Sequence, residues 1–233
     1  MRLDLLRRET YQLLALAFRR PTPDGFQLLA CEEAASIMNE GLAVLPGAIA
    51  GRSRPDLALF LAEARTGDLT ALAGSLTVEY CRLFVGPYSL PCPPYGSVYL
   101  DGGQVMGPRS IDAASRYREQ GLRVARGWRE PPDHIAVELA FMARLSGKYV
   151  AAADSGRQGE ARRLLEIQRR FLHDHVGRWG PTFAERLRGA ASCHLYRFLG
   201  EFLPVWLAFD QDLLEALEAT ELREGRTLCA SGS

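Results

Sequence analysis

Several features that would assign a function quickly are scarce or missing from this chain. It has no surplus of positive charge: 28 Lys and Arg offset 28 Asp and Glu across 233 residues. Nucleic-acid-binding domains usually carry a basic excess, so DNA or RNA is not expected as a partner. The five cysteines, Cys31, Cys81, Cys92, Cys193 and Cys229, include no CxxC pair and are irregularly spaced. That argues against a disulfide framework and for reduced thiols in the cytoplasm. No apolar run reaches the roughly 18 residues that a membrane span needs. The best candidate, 195–209, is interrupted by Arg197, Glu201 and Pro204, so a buried helix kinked near the proline is expected. Stable membrane insertion is not. Catalytic signatures are missing too: there is no GxSxG, no GxxxxGK[ST] and no GxGxxG after a strand. Strand alternation is scarce. Only 97–100, followed by a turn at Asp101-Gly102-Gly103, reads as a short extended piece.

Helical periodicity is what the chain has instead. Leu3, Leu6, Leu13, Leu14 and Ala17 form one face near the N-terminus. Arg7-Arg8 superficially suggests an export leader there, but Glu9, Gln12, Arg19 and Arg20 break the apolar stretch. A core helix is expected. Pro55 is expected to open another helix, with Leu57, Phe60, Leu61 and Ala64 inward. Leu69, Leu72, Ala73, Leu76, Tyr80, Leu83 and Phe84 put a stripe on a helix ending near Gly86. Ser110 is a candidate N-cap for a helix ending near Gln120 and Gly121. Asp133 is expected to cap the next, which carries Ile135, Leu139, Met142, Leu145 and Tyr149. Residues 161–176 repeat the pattern, and a last helix is expected over 210–223. The expected fold is all-α, one domain over 1–233. A break at 121–132 would divide it into halves 1–126 and 127–223, and 224–233 read as a frayed tail.

The segment 79–99 is the most informative. A helical stripe ends at Gly86-Pro87, and a proline-rich loop carries Tyr88, Tyr95 and Tyr99. Loops are ordinarily polar. Stiff, aromatic loops offer large contact area at small entropic cost. His134 and Glu138, four apart, can form a helical ion pair or begin an acid–base or metal site. A metal site would need further ligands, and nothing local supplies them. No metal and no cofactor is expected. His175 falls on an apolar stripe with Phe171 and Trp179 and reads as a satisfied core histidine, with His173 facing away.

Three stretches resemble the TorD/DmsD family of molybdoenzyme maturation chaperones. The first is Glu79-Tyr80, Arg82-Leu83-Phe84 and Gly86-Pro87, continued by Pro94-Tyr95-Gly96-Ser97-Val98-Tyr99. The second is Pro132-Asp133-His134-Ile135 with Glu138-Leu139 and Phe141-Met142. The third is Phe171-Leu172 with His175 and Trp179. The resemblance implies a compact multi-helix fold, no catalysis, and binding of the twin-arginine signal peptide of a molybdenum-cofactor oxidoreductase precursor before export. It implies client contacts at Tyr80, Leu83, Phe84, Tyr88, Pro94, Tyr95, Asp133 and His134, with the proline–tyrosine loop and the Asp133-His134 helix start meeting at one groove. Asp133 and Glu138 could accept arginine hydrogen bonds, while Phe84, Tyr88 and Tyr95 would receive the apolar part of the peptide. Tyr80, Tyr88 and Tyr95 stand where some members carry tryptophan, and the turn at Asp101-Gly102-Gly103-Gln104 lacks a basic residue found in some relatives. The sequence is open on monomer versus dimer. The rival readings are a small hydrolase or nucleotide-dependent enzyme built on His134 and Glu138, and a permanent structural subunit of a redox complex.

Overall fold

A computed structural model describes residues 1–86 and 89–230, and the side chains of all of these except 48–50 and 220–230. The chain is all-α. Its helices are α1 (Leu3–Ala17), α2 (Pro23–Ala30), α3 (Glu32–Ala43), α4 (Gly47–Thr66), α5 (Leu69–Phe84), α6 (Gly96–Leu100), α7 (Pro108–Glu119), α8 (Ile135–Asp154), α9 (Gln158–Asp174), α10 (Val176–Ala190) and α11 (His194–Ala230). Among the described residues, the only β pairing is an isolated bridge between Tyr95 and His134. No helix is long and apolar enough to cross a membrane among those residues.

The helices pack through the stripes that the periodicity marks, except that Leu3 and Leu69, each the first residue of its helix, are exposed. Helix α1 runs along α8, α9 packs on α8 and α11, and α10 and α4 both pack on α11. The core joins Leu6, Tyr11 and Leu14 of α1 to Leu57 and Phe60 of α4, Leu139 and Met142 of α8, and Phe202 and Trp206 of α11. Each such side chain contributes about 1.5–3 kcal/mol by leaving water. Where α10 crosses α11 the backbones nearly touch. A Cβ on Gly200 would lie 2.8 Å from the Arg188 amide nitrogen, so only glycine fits.

A buried polar network also binds the bundle. The Arg7 guanidinium, 1% exposed, pairs with the Asp210 carboxylate through Nε and, at 3.1 Å, through Nη2. Tyr11 Oη donates to Asp210 at 2.7 Å. Gln168 Oε1 accepts from Arg7 at 3.0 Å and from Ser146 at 2.9 Å. One set of hydrogen bonds thereby ties α1 to α8, α9 and α11.

Several local expectations are corrected. Residues 97–100 are not extended; they belong to α6, because the Asp133 carboxylate accepts the Ser97 amide at 2.6 Å and starts a helical turn. Asp133 therefore does not cap α8. His134 does, its Nδ1 accepting from the Ala136 amide at 3.1 Å. Helix α7 begins at Pro108 rather than at Ser110, with proline in its first turn. Helix α4 begins at Gly47 and carries Pro55 inside it. The segments 195–209 and 210–223 are one helix, α11, with Pro204 inside and a helical backbone as far as Ala230. Tyr88 lies outside the described residues.

Candidate functional site

The proline–tyrosine loop and the start of α8 are joined by backbone hydrogen bonds. The Ile135 amide donates to the Pro94 carbonyl at 2.8 Å, and the Gly96 amide donates to the Asp133 carbonyl at 3.0 Å. This pairing sets Tyr95 against His134, with ring centroids 5.6 Å apart and edge to face. Tyr95 Oη donates to Glu130 Oε2 at 2.7 Å. Trp128 also meets the His134 ring edge to face, centroids 5.2 Å apart, and the Arg19 guanidinium sits 5.8 Å from the Trp128 ring. Gly96 is required beneath the loop, because a Cβ there would lie 2.8 Å from Trp179 Nε1.

The electrostatics below this surface are those of a sealed interior. Burial pushes His134 down to about 3, so its ring is neutral. The hydrogen bond from Ala136 requires Nδ1 to be the unprotonated nitrogen. Glu138 accepts a hydrogen bond from Trp179 Nε1 at 2.9 Å. Its carboxyl is pushed up by burial, against the pull of His175 and Trp179. His175 lies between two carboxylates, with Nε2 3.0 Å from Asp112 Oδ2 and Nδ1 3.6 Å from Glu138 Oε1. Burial opposes its protonation, but Glu138 and Asp112 together raise it. Its ring stacks on Phe171 at 4.4 Å, making it the satisfied core histidine that the stripe implies.

Tyr80, Leu83 and Phe84 lie in the core, at 4, 0 and 2% exposure. Phe84 packs against Phe18, Tyr80, Phe183 and Tyr196. Pro94 is buried and Tyr95 half-buried. Asp133, His134 and Glu138 are buried, at 0, 1 and 1%. The resemblance implies that Asp133 and Glu138 accept arginine hydrogen bonds; in this arrangement both are buried, Asp133 Oδ2 accepting the Ser97 amide and Glu138 Oε2 the Trp179 indole N–H. His134 and Glu138 also do not form a pair, since each bonds to a different partner, so their arrangement offers no acid–base couple. Among the described residues, no group of three or more His, Cys, Asp or Glu could hold a metal ion.

Two features escaped the sequence reading. Trp128 completes the aromatic surface around His134; a tryptophan flanked by Gly127 and two arginines was the available signal. Glu79, 6% exposed, bonds Arg82 at 2.6 and 2.7 Å and accepts the Ser192 amide at 2.7 Å. Burial raises its carboxyl, but Arg82 and Ser192 outweigh burial and bring it to about 2. The conspicuous first residue of the loop signature thus fastens α5 to the α10–α11 connection.

Comparison with known proteins places these motifs. The family described as the nitrate reductase delta subunit matches residues 53–185, from α4 into α10. The Tat proofreading chaperone DmsD of Salmonella typhi is 33% identical over 135 residues, covering 58% of this chain and 59% of that protein. The chaperone protein TorD of Vibrio cholerae is 28% identical over 142 residues, 61% of this chain and 63% of its own. A TorD of Shewanella loihica is 27% identical over 159 residues, 66 and 68% of the two chains. The chain therefore spans about three-fifths of the length of the first two relatives. The family match covers more than half of this chain and contains both halves of the bridged loop, and on that ground the chain belongs to the nitrate reductase delta subunit family that takes in the TorD and DmsD proteins.

Proposed function

We propose that this protein is a non-catalytic cytoplasmic chaperone. It binds the twin-arginine signal peptide of a molybdenum-cofactor oxidoreductase precursor and assists maturation before export. The observation that carries this reading is the family match over 53–185, together with relatives named as a Tat proofreading chaperone and as TorD chaperones. The client is a polypeptide, with no nucleic acid and no cofactor required for recognition. The enzyme reading loses its basis, because His134 and Glu138 are committed to separate internal partners.

In this reading Tyr95 is the contact residue of the bridged loop and Pro94 stiffens it. Tyr80, Leu83, Phe84, Asp133, His134 and Glu138 hold that surface from beneath, and Tyr88 is proposed as a client contact on the sequence signature alone. A half-buried tyrosine on a braced loop can accept an apolar side chain with little further ordering. The test is titration calorimetry with a twin-arginine signal peptide from a molybdoenzyme encoded in the same genome. Tyr95→Ala should weaken binding by about thirtyfold, the ~2 kcal/mol typical of a truncated hot-spot aromatic, with little change in melting temperature. Wild-type affinity in a folded Tyr95→Ala variant would place the client surface elsewhere.

A further inference from the structure

A guanidinium-bearing peptide needs accessible carboxylates, and on the loop surface the exposed Glu130 already accepts the Tyr95 hydroxyl and stands beside Arg129. Asp133 and Glu138 are buried. The exposed charges on the segments holding Tyr95's surroundings are mainly positive: Arg19 and Arg20 after α1, and Arg126 and Arg129 beside Trp128 and Glu130. Across α5 lies a different surface. A groove of about 350 Å³ opens between α4, α5 and the start of α11. Its apolar lining includes Phe60, Leu72, Leu76 and Val78, and no Lys or Arg lines it among the described residues. Val78 is 71% exposed and leaves the apolar side of the groove open to solvent.

The groove's charge is acidic. The Glu63 side chain is 46% exposed, and its near contact is His194 Nε2 at 3.6 Å. The other nitrogen of the same ring is 2.8 Å from Asp56. Two carboxylates therefore share one imidazole, whereas Glu79, also in the lining, is matched by Arg82. We infer that this groove receives the arginines of the client peptide, with Glu63 as the open acceptor and Leu72 and Val78 packing the adjoining apolar residues. Carboxylate–guanidinium pairing beside an apolar wall is the complementarity such a segment calls for. The inference rests on the twin-arginine reading above and assigns its charged half to a second surface, with Tyr95 left for the apolar half.

The experiment uses the full chain and two labelled synthetic peptides. One carries two adjacent arginines followed by an apolar run; the other has glutamines in place of the arginines. Anisotropy titrations compare wild type, Glu63→Gln and Val78→Lys, each checked by a thermal melt. Both positions are exposed enough that melting should hold. Glu63→Gln should weaken the arginine peptide by about tenfold, the value of a charged hydrogen bond, and leave the glutamine peptide unchanged. Val78→Lys should weaken the arginine peptide at least as much. Discrimination by wild type, with both variants retaining wild-type affinity, overturns the groove assignment alone. Failure of wild type to prefer the arginine peptide overturns the twin-arginine reading and the groove with it.

Discussion

Single residues at the site act chiefly by fixing backbone. Asp133 and His134 are adjacent, yet each caps a different helix: Asp133 holds α6 through Ser97, and His134 holds α8 through Ala136. The sequence marks this position as a helix start but does not say which side chain turns which way. That choice follows from the long-range bridge to Pro94 and Gly96, which no local pattern contains. His134 also has a pH signature. Its folded pKa is about 3, below the roughly 6.5 of an unfolded histidine. The unfolded chain thus binds more protons between those values, and stability is lost as pH falls from about 6.5 toward 3. Asparagine caps well and does not titrate. Thermal or urea melts of wild type and His134→Asn should therefore converge as pH is lowered through that window, by at most about 1.4 kcal/mol per pH unit. A stability difference independent of pH would show that His134 is not the neutral cap. Asp133→Ala, which leaves the Ser97 amide buried without its acceptor, should cost about 1–3 kcal/mol, measured in the same melts.

At the scale of elements, the stripes on α1, α5, α8 and α9 were legible because burial of one face repeats every three or four residues. Leu57, Phe60, Leu61 and Ala64 were correctly placed inward even though α4 begins well before Pro55. The boundary at one proline was less legible: Pro55, expected to open its helix, lies inside α4, whereas Pro204 lies inside a helix as expected. The buried Arg7–Asp210 pair was not legible at all. Arg7 follows Leu6 on what reads as an ordinary amphipathic helix, and its partner lies on α11. Removing one member of such a pair leaves an uncompensated buried charge. Asp210→Asn should cost about 3–5 kcal/mol in urea unfolding, and the double change Arg7→Met with Asp210→Leu should recover much of it. A single-variant loss below about 1 kcal/mol, as for a surface pair, would mean that the network does not bind the bundle.

On the scale of the whole molecule, one core joins α1 to α11, and its outer surface presents two unlike faces. One is aromatic, with arginines around Tyr95 and Trp128; the other is acidic and apolar, between α4 and α5. The three family-like stretches were legible as a group because their residues meet: the loop of the first is hydrogen-bonded to the helix start of the second, and Trp179 of the third bonds Glu138 of the second. Which of those residues stay exposed was not legible, since a signature preserves a buried brace and a contact residue alike. The central claim is that the client is a twin-arginine precursor of a molybdoenzyme. Capture of partners by the tagged chain from native cytosol, with identification by mass spectrometry, tests this most directly. The expected result is a molybdenum-cofactor oxidoreductase subunit still carrying its twin-arginine leader, and loss of that capture when the leader is deleted from its gene. Equal capture of the leaderless protein, or recovery of no such subunit, would contradict the account.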